Sequence, residues 1–187
     1  MDQRHLVERA KGGDHDAFEA LAGPQVSRLD AAARLILRDP DLARDAVQDG
    51  FIRAWRNLPA LRDPDRFDAW IRRLVVNSCL DIARRKRRRA IEVELSPLDA
   101  LPGVDVATSI VDRDVLDGAL RVLEPDWRAI VVMHYYLGMP LPEVAAALGI
   151  PLGTAKSRLH RAIGLMRTNL DGEDARPTGR VPEGRPA

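Results

Sequence analysis

The chain has 187 residues, is 45% hydrophobic but only 4% aromatic, and carries a formal net charge of +1. That length admits one large or two small domains, with cores built mainly from aliphatic side chains. A single cysteine, Cys79, excludes a disulfide framework and a cysteine-rich zinc site; His5, His15, His134 and His160 lack metal-ligand spacing; and no run of about 18 apolar residues offers a membrane span.

The apolar periodicity is helical almost throughout, and no segment alternates like a strand. A first helix is predicted from about Asp2 to Lys11, stopped by Gly12-Gly13. A second starts near Asp14 or His15 and carries Phe18 and Leu21. Pro24 reads as a helix start or a kink, and Val26, Leu29, Ala33 and Leu37 then form a stripe. Asp39-Pro40-Asp41 is a turn with a helix-start signal. The next helix, Leu42 to Leu58, turns Leu42, Ala46, Val47 and Ala54 to the core. Pro59 and Pro64 make the following stretch a loop. A long helix from about Phe67 to Arg88 offers Trp70, Leu74, Val75, Leu80 and Ile82.

Residues 91–110, with Pro97, Pro102 and Gly103, show no helical stripe and read as a flexible linker. Helices are expected at about Val111 to Leu123, Trp127 to Leu137, Leu141 to Leu148 and Leu152 to Asn169. The Pro- and Gly-rich tail, 171–187, has the composition of a disordered segment. The organisation is therefore all-α: a helical domain over 1–90, a linker over 91–110, a second helical domain over 111–170, and the tail. The start of the chain, MDQRHLVERAKGG, lacks the apolar core of a signal peptide, so a soluble, cytoplasmic protein is the default expectation.

Charge is distributed unevenly. Residues 1–90 hold 19 Lys/Arg against 14 Asp/Glu, whereas Glu92, Glu94, Asp99, Asp105 and Asp112 occupy a stretch, 91–112, with no base. Two net-basic blocks thus flank an acidic connector.

The stretch IPLGTAKSRLHRA, Ile150 to Ala162, concentrates the basic signal. Two short helices joined at Gly149 match the helix-turn-helix pattern. On the last helix Ala155, Leu159, Ala162 and Met166 share one face at about 100° per residue, while Lys156, Ser157, His160 and Arg161 lie opposite and Arg158 sits on a flank. No acid occurs from Ile150 to Leu170. A helix N-terminus already carries partial positive charge, so cations there point to an external anion. Residues in this position reach base edges in the major groove: Lys156, Arg158 and Arg161 suit guanine and Ser157 several bases. Thr154 and the free amides of the first turn suit a phosphate. A solvated basic face is the plain alternative.

Two more surfaces carry chemistry. Arg84-Arg-Lys-Arg-Arg-Arg89 is six consecutive bases, suited to phosphates, or simply a solvated helix end favoured by the dipole. Before it, Trp70, Arg73, Asn77 and Asp81 form one stripe, able to stack on and hydrogen-bond unpaired bases; alternatively Trp70 is core and Asp81 pairs with a neighbouring arginine. On the Leu42–Leu58 helix, Asp45, Gln48, Asp49 and Trp55 share a flank. An acidic, aromatic surface does not suit DNA and fits a protein partner with Trp55 as an anchor, unless Trp55 is merely buried.

Taken in order, DLARDAVQDGFIRAWRNL, FDAWIRRLVVNSCLDIARRKRR and LPEVAAALGIPLGTAKSRLHRA resemble regions two and four of bacterial RNA polymerase sigma factors, and the short connector resembles the extracytoplasmic-function (ECF) group. The resemblance covers about residues 5–170. It implies a factor that binds core RNA polymerase and directs it to promoter DNA. Asp45, Gln48, Asp49 and Trp55 would meet the clamp helices of the largest polymerase subunit. The loop from about Pro59 to Arg66 and the helix through Arg73 and Asn77 would read the −10 element, with Arg84, Arg85, Arg87 and Arg88 on nearby phosphates. Thr154, Lys156, Ser157, Arg158, His160 and Arg161 would read the −35 element. An anti-sigma factor is an expected partner; no cofactor, metal, catalytic group or membrane insertion is expected. A stand-alone helix-turn-helix regulator binding duplex DNA without polymerase is the rival in the binding class. A recombinase or nuclease is the rival among enzymes, with Tyr135-Tyr136 as its tyrosine candidate.

Overall fold

A computed structural model describes residues 2–94, 116 and 118–174, and among them there are helices and no strand. The order is α1 (Gln3–Lys11), α2 (His15–Leu37), α3 (Pro40–Asn57), two single 3₁₀ turns (Leu58–Ala60 and Pro64–Arg66), α4 (Phe67–Glu94), α5 (Pro125–Val131), α6 (Leu141–Leu148) and α7 (Leu152–Asp174). Residues 118–121 are also helical.

Short acidic caps set the starts. Asp14 accepts the Ala17 amide at 3.0 Å and the Arg9 side chain at 2.8 Å, and these bonds hold its carboxyl below the usual range, the backbone amide first. Asp39 accepts the Asp41 and Leu42 amides ahead of Pro40 in the first turn, where a missing N–H is harmless. Arg38 takes the left-handed conformation between α2 and α3, φ 55°. Pro24 neither starts nor ends a helix: it lies inside α2 at an exposed position. Proline leaves the carbonyl four residues back without its helical donor, here that of the exposed Ala20, within reach of water.

The first three-helix layer packs Leu29 and Ile36 of α2, Ala43, Ala46 and Ala54 of α3, and Phe67, Ile71, Val75 and Val76 of α4 into one core. Alanines on α3 let α4 approach closely. At Gly50 an added Cβ would stand 2.6 Å from Val75 Cγ2 and 2.8 Å from Val75 Cα. Beside this core an aromatic row runs from His15 to Trp55 (stacked, 4.3 Å), Trp55 to Phe18 (5.2 Å), Phe18 to Phe67 (6.3 Å) and Phe67 to Trp70 (6.0 Å).

Leu120, Leu123, Ile130, Met133, Leu137, Val144 and Leu159 form the C-terminal core, and it is continuous with the first. The helix expected to run to Leu137 ends as α-helix at Val131 and widens into a π turn over Val132–Tyr136, closed by Leu137 N–H to Val132 O at 2.9 Å. Two arginines of the N-terminal unit cap it: Arg28 donates to Tyr136 O at 2.7 Å and Arg72 to Leu137 O at 3.3 Å. Cations at a helix C-terminus are favourable. Arg84 of α4 also lies 3.8 Å from Asp126 of α5.

α4 extends to Glu94 and α7 to Asp174, past the boundaries expected at 90 and 170. The rest of the expected linker and tail lies outside the described residues.

Candidate nucleic-acid interface

The recognition turn is built by a glycine. Gly149 ends α6 at φ 66°. Ile150 N–H bonds Ala145 O at 3.0 Å and Gly149 N–H bonds Ala146 O at 3.3 Å, the paired closing bonds of a Schellman ending. Ile150 packs on the core, and Pro151 O receives the Ala155 amide at 3.0 Å, so the chain turns within three residues.

α7 then divides as its periodicity demands. Ala155, Leu159 and Ala162 are buried, with Ile163 and Met166 packed beside them. Lys156, Ser157, His160 and Arg161 are exposed, while Thr154 and Arg158 are half-buried. Ser157 donates to Thr154 O at 3.0 Å, which leaves its lone pairs outward. Lys156, Arg158 and Arg161 have no acidic partner among the described residues. The face is a row of uncompensated cations held on a rigid helix.

On α4 the bases differ from one another. Arg84 pairs with Asp81 at 3.7 Å as well as with Asp126. Arg85 donates to Asp81 O at 3.3 Å, and Lys86 reaches Asp39 at 3.5 Å. Arg87 and Arg88 are exposed and have no acidic partner among the described residues, as is also true of Arg73. Asp81, Arg84, Arg85, Arg87 and Arg88 line a shallow open cleft. Asn77 is half-buried, and Trp70 is half-buried against Phe67.

On α3, Asp45 and Gln48 are exposed. Asp49 is engaged within the fold: it accepts from Ser78 at 2.9 Å and pairs with Arg53 at 2.8 Å. Arg53 also donates to Asp81 at 3.0 Å, and the bond to Asp81 is the main cause of its raised pKa. Trp55 is half-buried between His15 and Phe18. The four residues expected to form one contact surface are thus two exposed polar groups and two groups tied into the domain. Sequence reasoning missed Arg53 and Arg62. The Asp49–Arg53 spacing of four was a readable signal; the reach to Asp81 was not. Arg62 stands exposed in the loop between the 3₁₀ turns, with no acidic partner among the described residues.

Among the described residues no group of His, Cys, Asp and Glu could hold a metal, and no helix is long and apolar enough to cross a membrane. Cys79 is buried, and burial pushes its thiol up to about 12.

Residues 25–89 match the family model for sigma-70 region 2, and residues 113–166 that for sigma-70 region 4. The chain is 34% identical over 160 residues to an RNA polymerase sigma-E factor of Streptomyces avermitilis, covering 84% of this chain and 87% of the relative. It is 34% identical to the ECF sigma factor SigM of Mycobacterium tuberculosis (84% and 79% covered) and 26% identical to SigW of Bacillus subtilis (88% and 94%). Among solved structures it is similar to CnrH in complex with the cytosolic domain of CnrY, at TM-score 0.66 and 30% identity, covering 92% of this chain and 99% of that one. It is also similar to the sigma factor RpoE in complex with the anti-sigma factor NepR from Bartonella quintana, at TM-score 0.68 and 25% identity, covering 82% and 96%.

Proposed function

The chain belongs to the sigma-70 family, as an ECF-type sigma factor, and from that premise we propose how its surfaces divide the work of promoter recognition. A sigma factor binds core RNA polymerase and directs initiation by reading the −10 and −35 elements. Here α7 reads the −35 element through Lys156, Ser157, Arg158, His160 and Arg161, with Thr154 at the helix start beside a phosphate. The observation that carries this is its solvent face: three cations with no acidic partner among the described residues, on a helix aimed by a two-bond glycine turn. Base edges are read by such side chains in the major groove.

The 59–66 loop, with Arg73 and Asn77 of α4, meets the −10 element, and Arg84, Arg85, Arg87 and Arg88 follow its phosphates. Asp45 and Gln48 touch the clamp helices of the polymerase, with Asp49 and Trp55 shaping the helix behind them. We assign residues 1–90 and 111–170 to the two working domains and 91–110 to their connector. The role is one of binding rather than catalysis, exercised where the polymerase is, in the cytoplasm. RpoE, a structural relative solved in complex with the anti-sigma factor NepR, supports an anti-sigma factor as a further ligand.

Run-off transcription with the purified chain and core polymerase on genomic fragments tests this reading. Specific transcripts that need the chain are expected. Binding to duplex DNA without polymerase, with no transcript, would instead mark a stand-alone regulator.

A further inference from the structure

The first helix reaches a loop more than fifty residues away in sequence. Gln3 Nε2 donates to Pro64 O at 2.9 Å, and Arg4 Nε donates to one Asp65 carboxylate oxygen at 2.8 Å while its Nη2 bonds the other. A forked guanidinium–carboxylate pair fixes orientation as well as distance. The pair holds the Asp65 carboxyl below its ordinary range and raises the Arg4 guanidinium. α1 is itself anchored by buried Val7 and Ala10 and by Arg9 on Asp14. It lies outside the residues matched by the region 2 model, which begin at 25.

Apart from the burial of Leu58 and Leu61 in the core, the loop's other hydrogen bonds and ion pairs among the described residues lie within itself. Leu61 N–H bonds Leu58 O, and Asp63 accepts the Asp65 amide at 3.1 Å and sits 3.6 Å from Arg66. Leu58 and Leu61 are buried, while Arg62, Asp63, Asp65 and Arg66 are exposed. Pro64 O accepts from both Phe67 N–H and Gln3, so both its lone pairs are used.

We propose that Gln3 and Arg4 are positioning residues for −10 recognition, acting through Pro64 and Asp65. The proposal rests on the reading that the 59–66 loop meets the −10 element. Two effects follow from the geometry. The clamp holds the 3₁₀ turn in one place, which sets where Arg62 stands. It also pairs a carboxylate that would otherwise meet DNA phosphates alone: Arg4 pairs with Asp65 as Arg66 pairs with Asp63. Pairing both acids lessens the loop's repulsion of a polyanion.

The test uses holoenzyme and promoter fragments varied at −10 with the −35 element fixed. The readout is open-complex formation on preferred against substituted −10 sequences. Arg4→Ala, which removes an exposed ion pair, and Gln3→Ala, which removes a neutral hydrogen bond, are each expected to lower that discrimination roughly twofold to fivefold. Core affinity and −35 discrimination should not change. The exchanged pair Arg4→Asp with Asp65→Arg should restore discrimination, which a general loss of stability would not allow. Unchanged −10 discrimination in Arg4→Ala, Gln3→Ala and the double variant, beside a loss in Arg62→Ala, would overturn the clamp and leave the loop reading standing. Unchanged discrimination in Arg62→Ala and in a 59–66 loop replaced by Gly-Ser sequence would overturn the loop reading and the clamp with it. Equal loss at −10 and −35 would also overturn the clamp, because it would then serve the fold alone.

Discussion

Gly50 of α3 lies directly against Val75 of α4: a Cβ built on the glycine would come within 2.8 Å of the valine's own Cα. The neighbour is backbone, so no side-chain rotation relieves the contact. In an exposed helix Gly→Ala is stabilising by about 1 kcal/mol; here the sign reverses. Gly50→Ala is expected to destabilise by about 1–3 kcal/mol, the usual range for overpacking a close core. Val75→Ala on top of it should recover only part, since Val75 Cα remains in place. Urea unfolding of the two variants against wild type measures both.

Arg161→Ala should cost about 1–3 kcal/mol on the cognate −35 element and narrow the gap between cognate and scrambled sites. Replacing Arg87 and Arg88 with Ala should weaken all sequences alike and flatten the salt dependence by roughly one unit of slope per lost phosphate contact. A salt series with holoenzyme, altering one promoter element at a time, separates the two. Equal losses on cognate and scrambled −35 sites in Arg161→Ala would make α7 a phosphate clamp.

On α3 the effects of substitution should divide by exposure. Asp45→Ala with Gln48→Ala should weaken core polymerase binding, by about 1–3 kcal/mol if they sit in a hot spot, with the melting temperature unchanged. Asp49→Ala should lower the melting temperature as well, because it strips partners from Ser78 and Arg53. A fluorescence titration with core polymerase, beside thermal melts, reads both quantities.

Cys79 gives a pH dependence of known sign. Its thiol is raised to about 12 in the fold against about 8.5 in an unfolded chain. The folded state therefore prefers the protonated form. That contribution is fully present below about pH 8.5 and is lost as pH rises from there toward 12, by at most about 1.4 kcal/mol per pH unit. Wild type should lose stability faster than Cys79→Ala across this window, although the variant starts lower because of its cavity. A thiol reagent should label Cys79 only at the rate of unfolding.

The elements were legible where local chemistry decides them. Asp39-Pro40 announces α3, Gly149-Ile-Pro151 announces the recognition turn, and the 3.6-residue stripe of α7 separates Ala155 from Lys156 without any tertiary knowledge. Of the two readings of Pro24 the helix start is excluded, because burial of Leu21, Ala22 and Leu29 on either side holds α2 together across a local breaker. Trp55 could not be assigned from its own helix, since its partners His15 and Phe18 come from another. The π turn and its arginine caps were likewise hidden. Arg28 and Arg72 reach carbonyls 108 and 65 residues away, and carbonyls leave no mark on side-chain patterning.

Those two caps have a consequence of scale. Elements centred near −10 and −35 are about 25 base pairs apart, which is about 85 Å along B-form DNA at 3.4 Å per base pair. A compact body of this chain's length has a radius of gyration of only about 16 Å. That is about 40 Å across, so with Arg28 on Tyr136 O and Arg72 on Leu137 O the described residues cannot straddle a promoter. On the division of labour proposed above, the contacts between the two units have to part before both elements are held, and only a ligand that binds the parted state better can shift that balance. Core polymerase, the partner of sigma factors, is the candidate for such a ligand. On that reading the same arginine caps tie tight promoter binding to prior assembly with the enzyme.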